Sequence, residues 1–396
     1  MPLKKQRCVF GVLTTATVLL CVAYFREIRY TLFLTKKNQE RLQYDSTTST
    51  RIKVLPPAKT MLLYNPKHWE TAIWKSFTNT SFWENCPYSC QITTDRKLYN
   101  KSDAVVFVID LLGGGNLPKK MPQQVWIFAQ YESTDYLMKE IGSQFVTKGN
   151  LEKYNRRVNW TLSYRRDSDI PFTHGSYGAK RGKERKYVDN KYGVAWFVSH
   201  CRTTSKRENY VRLIRKTTDV DIYGSCGSLK APNCPKTRGD AIRECWGLSP
   251  SKCYDILDKK YLFYLSFENA LCRDYVTEKG LHHVTQHQVI PIMRGGANYS
   301  IFSPPKSYIN TRDFSSIEHL SKYLESVEKD KSLQHNFLNW KEYYDSSYPI
   351  ENWRNNMCNI CQRLNNPMKY SRIYDDIYKW IVTPNNKPGC FVPTDL

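Results

Sequence analysis

The chain has 396 residues, 41 % of them hydrophobic and 14 % aromatic, which is enough apolar material for two cores of ordinary size and too much for a disordered protein. Its 59 Lys and Arg outnumber 37 Asp and Glu, for a formal charge of +22 spread along the whole chain. That balance favours an anionic partner, whether a nucleic acid, an anionic lipid surface or a phosphorylated small molecule, and composition does not choose between them.

Residues 9–25 carry no charge and follow Lys4, Lys5 and Arg7. This run is close to the shortest that spans a bilayer as a helix. A cleavable signal peptide is the competing reading, but no small-x-small cleavage site stands out where Ala23 runs into Tyr24, Phe25 and Arg26, which favours an uncleaved signal anchor. The basic residues 1–8 then stay cytosolic and the rest becomes lumenal, although Arg26 and Arg29 on the far flank partly oppose that orientation. Two features fit a lumenal chain. Asn-x-Ser/Thr acceptors stand at Asn79, Asn100, Asn159 and Asn298, and eleven of the thirteen cysteines lie beyond the anchor, as suits an oxidising compartment. An odd number of lumenal cysteines leaves at least one thiol free or paired between chains.

Residues 26–59 are polar, rich in Ser and Thr between Ser46 and Thr50, and end beyond Pro56-Pro57, the composition of an extended stem. Short apolar runs at Met61–Tyr64, Ala104–Ile109 and Val125–Ala129, bounded by turn residues, predict buried strands. The triplet Gly113-Gly114-Gly115 reads as a surface turn more readily than as a phosphate loop. The densest basic run, Ala179–Lys186, lacks the interleaved aromatics of a nucleic-acid surface and reads as a solvated interdomain linker.

The second half alternates strands and helices. Strands are predicted at Val194–Ser199, Val220–Tyr223, Tyr261–Phe267 and Val289–Met293, and helices at Ser205–Lys216, from Thr277 onward and at Ser316–Glu328. In the last of these Ile317, Leu320, Leu324 and Val327 form an apolar stripe, and Ser315 with Glu318 fits a capping box. Repeated βα units imply a doubly wound parallel sheet, whose ligands sit at the carboxyl ends of the strands.

The segment Phe263–Lys279 reads FYLSFENALCRDYVTEK, a strand, a polar turn and a helix start with Thr277 as the N-cap. A lysine in a first helical turn opposes the helix dipole. A bound phosphate would resolve that conflict, and an ordinary exposed lysine is the alternative. FENALCRDYVTEK resembles the donor-binding signature of the α1,3/4-fucosyltransferases, close to FEN-x-x-x-x-DY-x-TEK. Further blocks follow in the family's order: CQITTDRKLYNKSDAVVF from Cys90, WIFAQYES from Trp126, NWTLSYRRDSDIPF from Asn159, VAWFVSHC from Val194 and VDIYGSCG from Val220. The resemblance covers roughly Met61 to Ile381, and the spacing beyond Lys279, with the Cys after Tyr223-Gly224-Ser225, looks most like invertebrate members.

The resemblance implies an α/β fold of the GT-B type: two Rossmann-like domains facing each other across a cleft. Residues 60–192 would be the acceptor side, 193–350 the GDP-fucose-binding domain, and 351–396 a segment returning to the N-terminal domain. It implies an inverting transfer from GDP-β-L-fucose, which needs a carboxylate to take the acceptor proton on the face opposite the leaving GDP. Glu132, in the QYES turn after the strand Val125–Ala129, matches the family's general base. Arg207 and Lys279 match the cations that stabilise the diphosphate. By the same match Asn269, Tyr275 and Glu278 contact the donor, Glu268 and Phe267 are structural, and Tyr223 either lines the guanine pocket or is a buried aromatic at a strand end. Thr134, His200, Ala270 and Gly280 depart from the family's usual residues.

His282, His283 and His287 come without an HExxH or DxD pattern, so no protein-bound metal and no required cofactor are expected, which leaves room for stimulation by Mn or Mg. Cys358-Asn359-Ile360-Cys361 could belong to a zinc site, but relatives use similar segments for disulfides to N-terminal cysteines, implying Cys86–Cys358 and Cys90–Cys361. The expected enzyme is a single-pass type II Golgi membrane protein that moves fucose from GDP-fucose to GlcNAc of glycoprotein N-glycans, with no nucleic-acid partner. Alternatives are a Lewis-type enzyme acting on antennae and a Golgi-resident GDP-fucose or glycan-binding relative with little turnover.

Overall fold

β-Branched and aromatic runs such as AVVFV at 104–108 are buried along their whole length, the pattern of strands covered on both faces. In the computed structural model, which describes residues 58–65, 83, 85–109, 116–141, 146–180, 191–232, 234, 252–283, 286–347 and 349–396, six strands form a parallel sheet. They are β1 (Lys59–Leu63), β2 (Cys90–Thr93), β3 (Ala104–Val108), β4 (Val125–Gln130), β5 (Trp160–Ser163) and β6 (Ile170–Pro171), in the order β2-β1-β3-β4-β5-β6. The expected anchor at 9–25, the stem up to residue 57, Asn79, the glycine triplet and residues 181–186 of the basic stretch lie outside the described residues. Among the described residues no helix is long and apolar enough to cross a membrane.

The period-two alternation of strand side chains builds two cores on this sheet. Met61, Leu63, Val106, Ile127 and Trp160 pack on one face, and Leu62, Val105, Phe107, Trp126 and Phe128 on the other. The second core also holds Leu151 from the short helix α1 (Lys148–Glu152).

A second parallel sheet comprises β8 (Val194–Phe197), β9 (Val220–Tyr223), β10 (Phe263–Phe267), β11 (Ile290–Arg294) and β12 (Ile309–Asn310), in the order β9-β8-β10-β11-β12. Helix α2 (Arg207–Ile214) packs Tyr210, Val211 and Ile214 on one face, and α3 (Asp255–Lys259) buries Leu257 in a separate cluster with Ala195, Tyr261 and Tyr264. Helix α4 (Ile317–Lys329) buries Leu320, Leu324 and Val327 and leads into α5 (Lys331–Leu338). Its cap is Ser316, not Ser315: Ser316 is the extended residue whose hydroxyl accepts the His319 N–H. The strand order reverses direction between β8 and β10, so the switch point at which open α/β sheets bind ligands lies beyond the carboxyl ends of these two strands.

β7 (Ser176–Ala179) pairs antiparallel with β13 (Tyr344–Ser347), so the basic stretch begins on a strand edge: Ala179 is in the ladder and Lys180 N–H donates to the Tyr343 carbonyl at 3.0 Å. After β13 comes α6 (Pro349–Leu364), which inserts Trp353, Met357, Ile360 and Leu364 into the first core, with disulfides Cys86–Cys358 and Cys90–Cys361. Helix α7 (Ile377–Val382) covers the other face of the same sheet through Ile377 and Ile381. The expectation that all of 351–396 returns to the N-terminal domain needs correcting at its end, because residues 389–395 cross to the second sheet, where Cys390 is bonded to Cys272. Cys201–Cys226 and Cys234–Cys253 complete five disulfides among the described residues. Residues 57–396 together form one compact unit.

Candidate active site

Three loops converge beyond the switch point: the one leaving β8, the one leaving β10, and the turn that follows β4 of the first sheet. The β8 loop enters α2 through Lys206, whose φ of 50° is left-handed, and this sharp turn brings Arg207 inward. The Arg207 side chain is buried, donating from Nη1 to the Phe267 carbonyl (2.7 Å) and from Nη2 to the His200 carbonyl (3.2 Å). Burial works against its charge, while Glu268 favours it. Its Nε and the Asn269 Oδ1 are buried polar atoms with no hydrogen-bond partner, a condition that calls for an explanation in a folded protein.

The β10 loop carries the signature. Glu268 is 1 % exposed and accepts from the Thr277 N–H at 2.8 Å and the Thr277 hydroxyl at 2.8 and 3.1 Å. The buried carboxylate therefore claims the Thr277 hydroxyl, so the side-chain cap is absent, but the helical winding starts at Glu278 as expected, with the Leu281 N–H on the Thr277 carbonyl at 3.1 Å, and continues as a π-type segment, Lys279–His283. Lys279 Nζ donates to Thr277 Oγ1 and Glu278 Oε1, both at 2.8 Å, and lies 3.7 Å from Glu268 Oε2. Burial opposes its charge, but the Glu278 and Glu268 carboxylates outweigh that and raise its pKa above the ordinary lysine value. Two carboxylates thus resolve the dipole conflict at Lys279, for which the sequence offered either a bound phosphate or an exposed lysine. Glu278 also reaches His174 of the first lobe, at 3.9 Å.

Glu132 stands just past β4, whose last residue Gln130 donates from Nε2 to the Glu132 carbonyl at 3.2 Å. Its carboxylate accepts the Tyr275 hydroxyl at 2.8 Å, joining the turn of the first lobe to the signature loop of the second. Tyr275 is 1 % exposed, with its ring set edge-on to Tyr164 at 5.0 Å. Burial, reinforced by the Glu132 charge, pushes its phenol far above the usual range, so it stays a hydrogen-bond donor. Asp274, with φ 63°, accepts the Arg166 N–H across the same junction.

The structure therefore groups Glu132, Arg207, Asn269, Tyr275, Glu278 and Lys279. It does not bring Tyr223 to them. That phenol stacks on Phe197 (4.7 Å) and shares a 2.6 Å hydrogen bond with Tyr261, which in turn donates to Asp221, so its polar end is already engaged in a structural network. His287 bonds to Asp258 at 2.8 Å, and among the described residues no group of three or more His, Cys, Asp or Glu is arranged to hold a metal ion.

Of the acceptor asparagines, Asn100 and Asn298 are exposed. Asn159 is committed to the fold: its Oδ1 accepts the Trp126 N–H and its Nδ2 donates to the Arg372 carbonyl, both at 3.0 Å, beside the fully buried Thr161. Sequence reasoning missed Ser205, Arg294 and Asp395, which back the site. Asp395 lies 101 positions from its partner, and no local pattern signals a pair at that separation.

Comparison with known proteins gives this grouping its family. The model "Glycosyltransferase family 10 (fucosyltransferase) C-term" matches residues 187–380, and "Fucosyltransferase, N-terminal" matches residues 56–175. Alpha-(1,3)-fucosyltransferase C of Drosophila melanogaster is 31 % identical over 87 % of this chain and 82 % of its own length. Glycoprotein 3-alpha-L-fucosyltransferase A of the same organism is 30 % identical over 86 % of this chain, which spans 63 % of that relative. A crystal structure of an alpha1,3-fucosyltransferase with GDP, 14 % identical, superposes with a TM-score of 0.50 over 83 % of this chain and 96 % of that one, a likeness of fold. With both family models matched and two insect relatives aligned over most of its length, the chain belongs to glycosyltransferase family 10, the fucosyltransferases.

Proposed function

We propose that this fucosyltransferase moves L-fucose from GDP-β-L-fucose to O3 of a GlcNAc residue in glycoprotein N-glycans, with inversion, as a type II protein of the Golgi membrane. The observation that carries the reading is the 2.8 Å contact between Glu132 and Tyr275, which sets a carboxylate of one lobe against the loop that holds Lys279 in the other. In the proposed step the bond from fucose C1 to the diphosphate oxygen breaks as the bond to the acceptor O3 forms. The acceptor proton goes to Glu132, and the charge left on GDP is met by Arg207 and Lys279. The orphaned Arg207 Nε and Asn269 Oδ1 support the reading, since an oxygen of the donor would satisfy the first and a hydroxyl the second.

The glycoprotein acceptor has support in the name of one relative, Glycoprotein 3-alpha-L-fucosyltransferase A. The lumenal placement is supported by five disulfides. The full chain in detergent, given GDP-fucose and a set of defined N-glycans, should yield products carrying α1,3-linked fucose on GlcNAc by mass spectrometry and linkage analysis. Fucosylation confined to Lewis-type antennae would move the acceptor, and GDP binding without turnover would reduce the protein to a binding relative.

A further inference from the structure

The segment Gly389–Asp395 is stitched to the loop that leaves β10. Besides the Cys272–Cys390 bond, the Arg273 N–H donates to the Gly389 carbonyl (2.9 Å) and the Phe391 N–H to the Leu271 carbonyl (2.8 Å). Farther along, the Asp395 carboxylate meets Arg294, the last residue of β11, through Nε to Oδ2 at 2.7 Å and Nη2 to Oδ1 at 2.6 Å. This is a two-pronged pair of parallel charged hydrogen bonds, the strong form of such contacts. The Arg294 side chain is 2 % exposed and that of Asp395 39 %, so a surface carboxylate closes over a buried cation.

Arg294 passes the contact inward. Its Nη1 donates to the Ser205 carbonyl at 2.9 Å, and its guanidinium lies over the Tyr210 ring at 4.8 Å. Ser205, two residues before Arg207, donates its N–H to the Asn269 carbonyl (3.0 Å) and its hydroxyl to the Glu268 carbonyl (2.7 Å). A continuous series of hydrogen bonds therefore runs from Asp395 through Arg294 and Ser205 to the backbone that presents Arg207, Glu268 and Asn269.

We propose that Asp395 is a positioning residue for the donor: by holding Arg294 it fixes the Ser205 carbonyl and with it the relative placement of Arg207 and Asn269, without itself touching the nucleotide sugar. The inference rests on the assignment of these residues to the donor site. An amide at position 395 offers one acceptor and one donor, so one guanidinium N–H would face an N–H and the fork would open. The Cys272–Cys390 bond and the apolar packing of β8 to β12 would still hold the segment and the lobe.

Steady-state kinetics on the full chain test this with Asp395→Asn, Asp395→Glu and Lys279→Ala. Asp395→Asn is expected to raise KM for GDP-fucose roughly tenfold, the scale of losing one charged hydrogen bond. KM for the acceptor should hold near the parent value, the melting temperature should fall because the buried Arg294 loses its counter-charge, and Asp395→Glu, which keeps the two-pronged acceptor, should recover most of both losses. A melting temperature lowered by Asp395→Asn with both KM values unchanged would show a role in stability alone and overturn the proposal. An unaltered GDP-fucose KM in Asp395→Asn alongside a raised one in Lys279→Ala overturns the positioning role by itself. An unaltered KM in both overturns it together with the donor-site assignment.

Discussion

Tyr275 donates its hydroxyl to Glu132 at 2.8 Å, so the residue assigned as the base is held in place by the loop that faces it from the other lobe. Glu132→Gln keeps the size of the side chain and removes its capacity to take a proton. Its kcat should fall by about 10² to 10⁴, the usual worth of a positioned base, while GDP affinity by calorimetry stays unchanged. Tyr275→Phe keeps the carboxylate and removes one hydrogen bond, so its kcat should fall by about tenfold, the scale of a hydrogen bond to a charged group. Equal losses in the two variants would mean that Glu132 only holds Tyr275.

Lys279 lies between Glu278 at 2.8 Å and Glu268 at 3.7 Å, the latter carboxylate 1 % exposed. Lys279→Ala leaves Glu268 without its counter-charge and should cost about 3–5 kcal/mol in chemical denaturation at neutral pH. Burial already raises the Glu268 pKa, with Lys279 pulling the other way. A carboxyl whose folded value stands above its unfolded one stabilises most below the unfolded value, and that contribution is lost as pH rises through the folded value. The variant should therefore regain part of its lost stability on acidification from neutral pH toward the ordinary glutamate value of about 4.3. A loss of stability that does not change with pH would place the cost elsewhere.

Much of this was legible in the sequence, for physical reasons that differ by element. Apolar runs such as Ala104–Val108 read directly as buried strands, and the βα alternation of the second half gave the parallel sheet. The strand WTLS of β5 did not declare itself, because its polar Thr161 and Ser163 are fully buried and Thr161 is satisfied by Asp169, eight positions away. The helix expected from Thr277 onward does begin there, but its π-type winding and the diversion of the Thr277 hydroxyl to Glu268 were not encoded in the local pattern. The 16-residue α6 is rich in Asn and polar on much of its surface, and its apolar residues make sense only against the first sheet. Glu132 was found by resemblance and Lys279 by its place at a helix start as well, whereas Arg294 and Asp395 depend on a crossing of the chain that local pattern does not encode.

Asp258 and Asp395 are among the aspartates that should contribute to acid unfolding. Burial opposes ionisation of Asp258, but hydrogen bonding and charge from His287, the Gln288 N–H and Lys191 hold its pKa below the ordinary value. The same balance between burial and Arg294 lowers Asp395. A depressed folded value means that the stabilisation is complete above the unfolded aspartate value, about 3.9, and is lost as pH falls through the folded one. Melting temperatures followed downward from pH 6 should drop steeply below about pH 4. That slope should be shallower in Asp258→Asn, and an identical slope would remove Asp258 from the account.

Cys90 and Cys361 are buried in the first core, 5 % and 0 % exposed, whereas Cys86 and Cys358 sit at its edge, half-exposed. Both bonds close loops of similar span, with separations of 271 and 272 residues, so the restriction they place on the unfolded chain is nearly the same. Each bond should then contribute about 2–5 kcal/mol, and the difference between them should come from the core. Replacing the Cys90–Cys361 pair by alanine also leaves space beside Trp353, Ile360 and Leu364, so it should lower the melting temperature further than replacing Cys86–Cys358. Non-reducing peptide mapping of the parent should recover both links, and free thiols at these four positions would exclude them.

Asn159 and Asn298 each head a sequon and should behave oppositely. Asn298 is exposed, with its Oδ1 serving only the local turn to Ser300, so it has room for a glycan. Asn159 uses both ends of its amide to join the Trp126 backbone to Arg372, and an attached sugar would have to displace that second contact. Intact-mass measurement with and without glycosidase should therefore report occupancy at Asn298 and none at Asn159. Asn298→Gln should remove one glycan mass at little cost in stability. Asn159→Ala should leave the mass of attached glycan unchanged and destabilise by about 1–3 kcal/mol, the cost of orphaning a buried backbone donor. A glycan found on Asn159 of the folded protein would show that the Arg372 contact is dispensable.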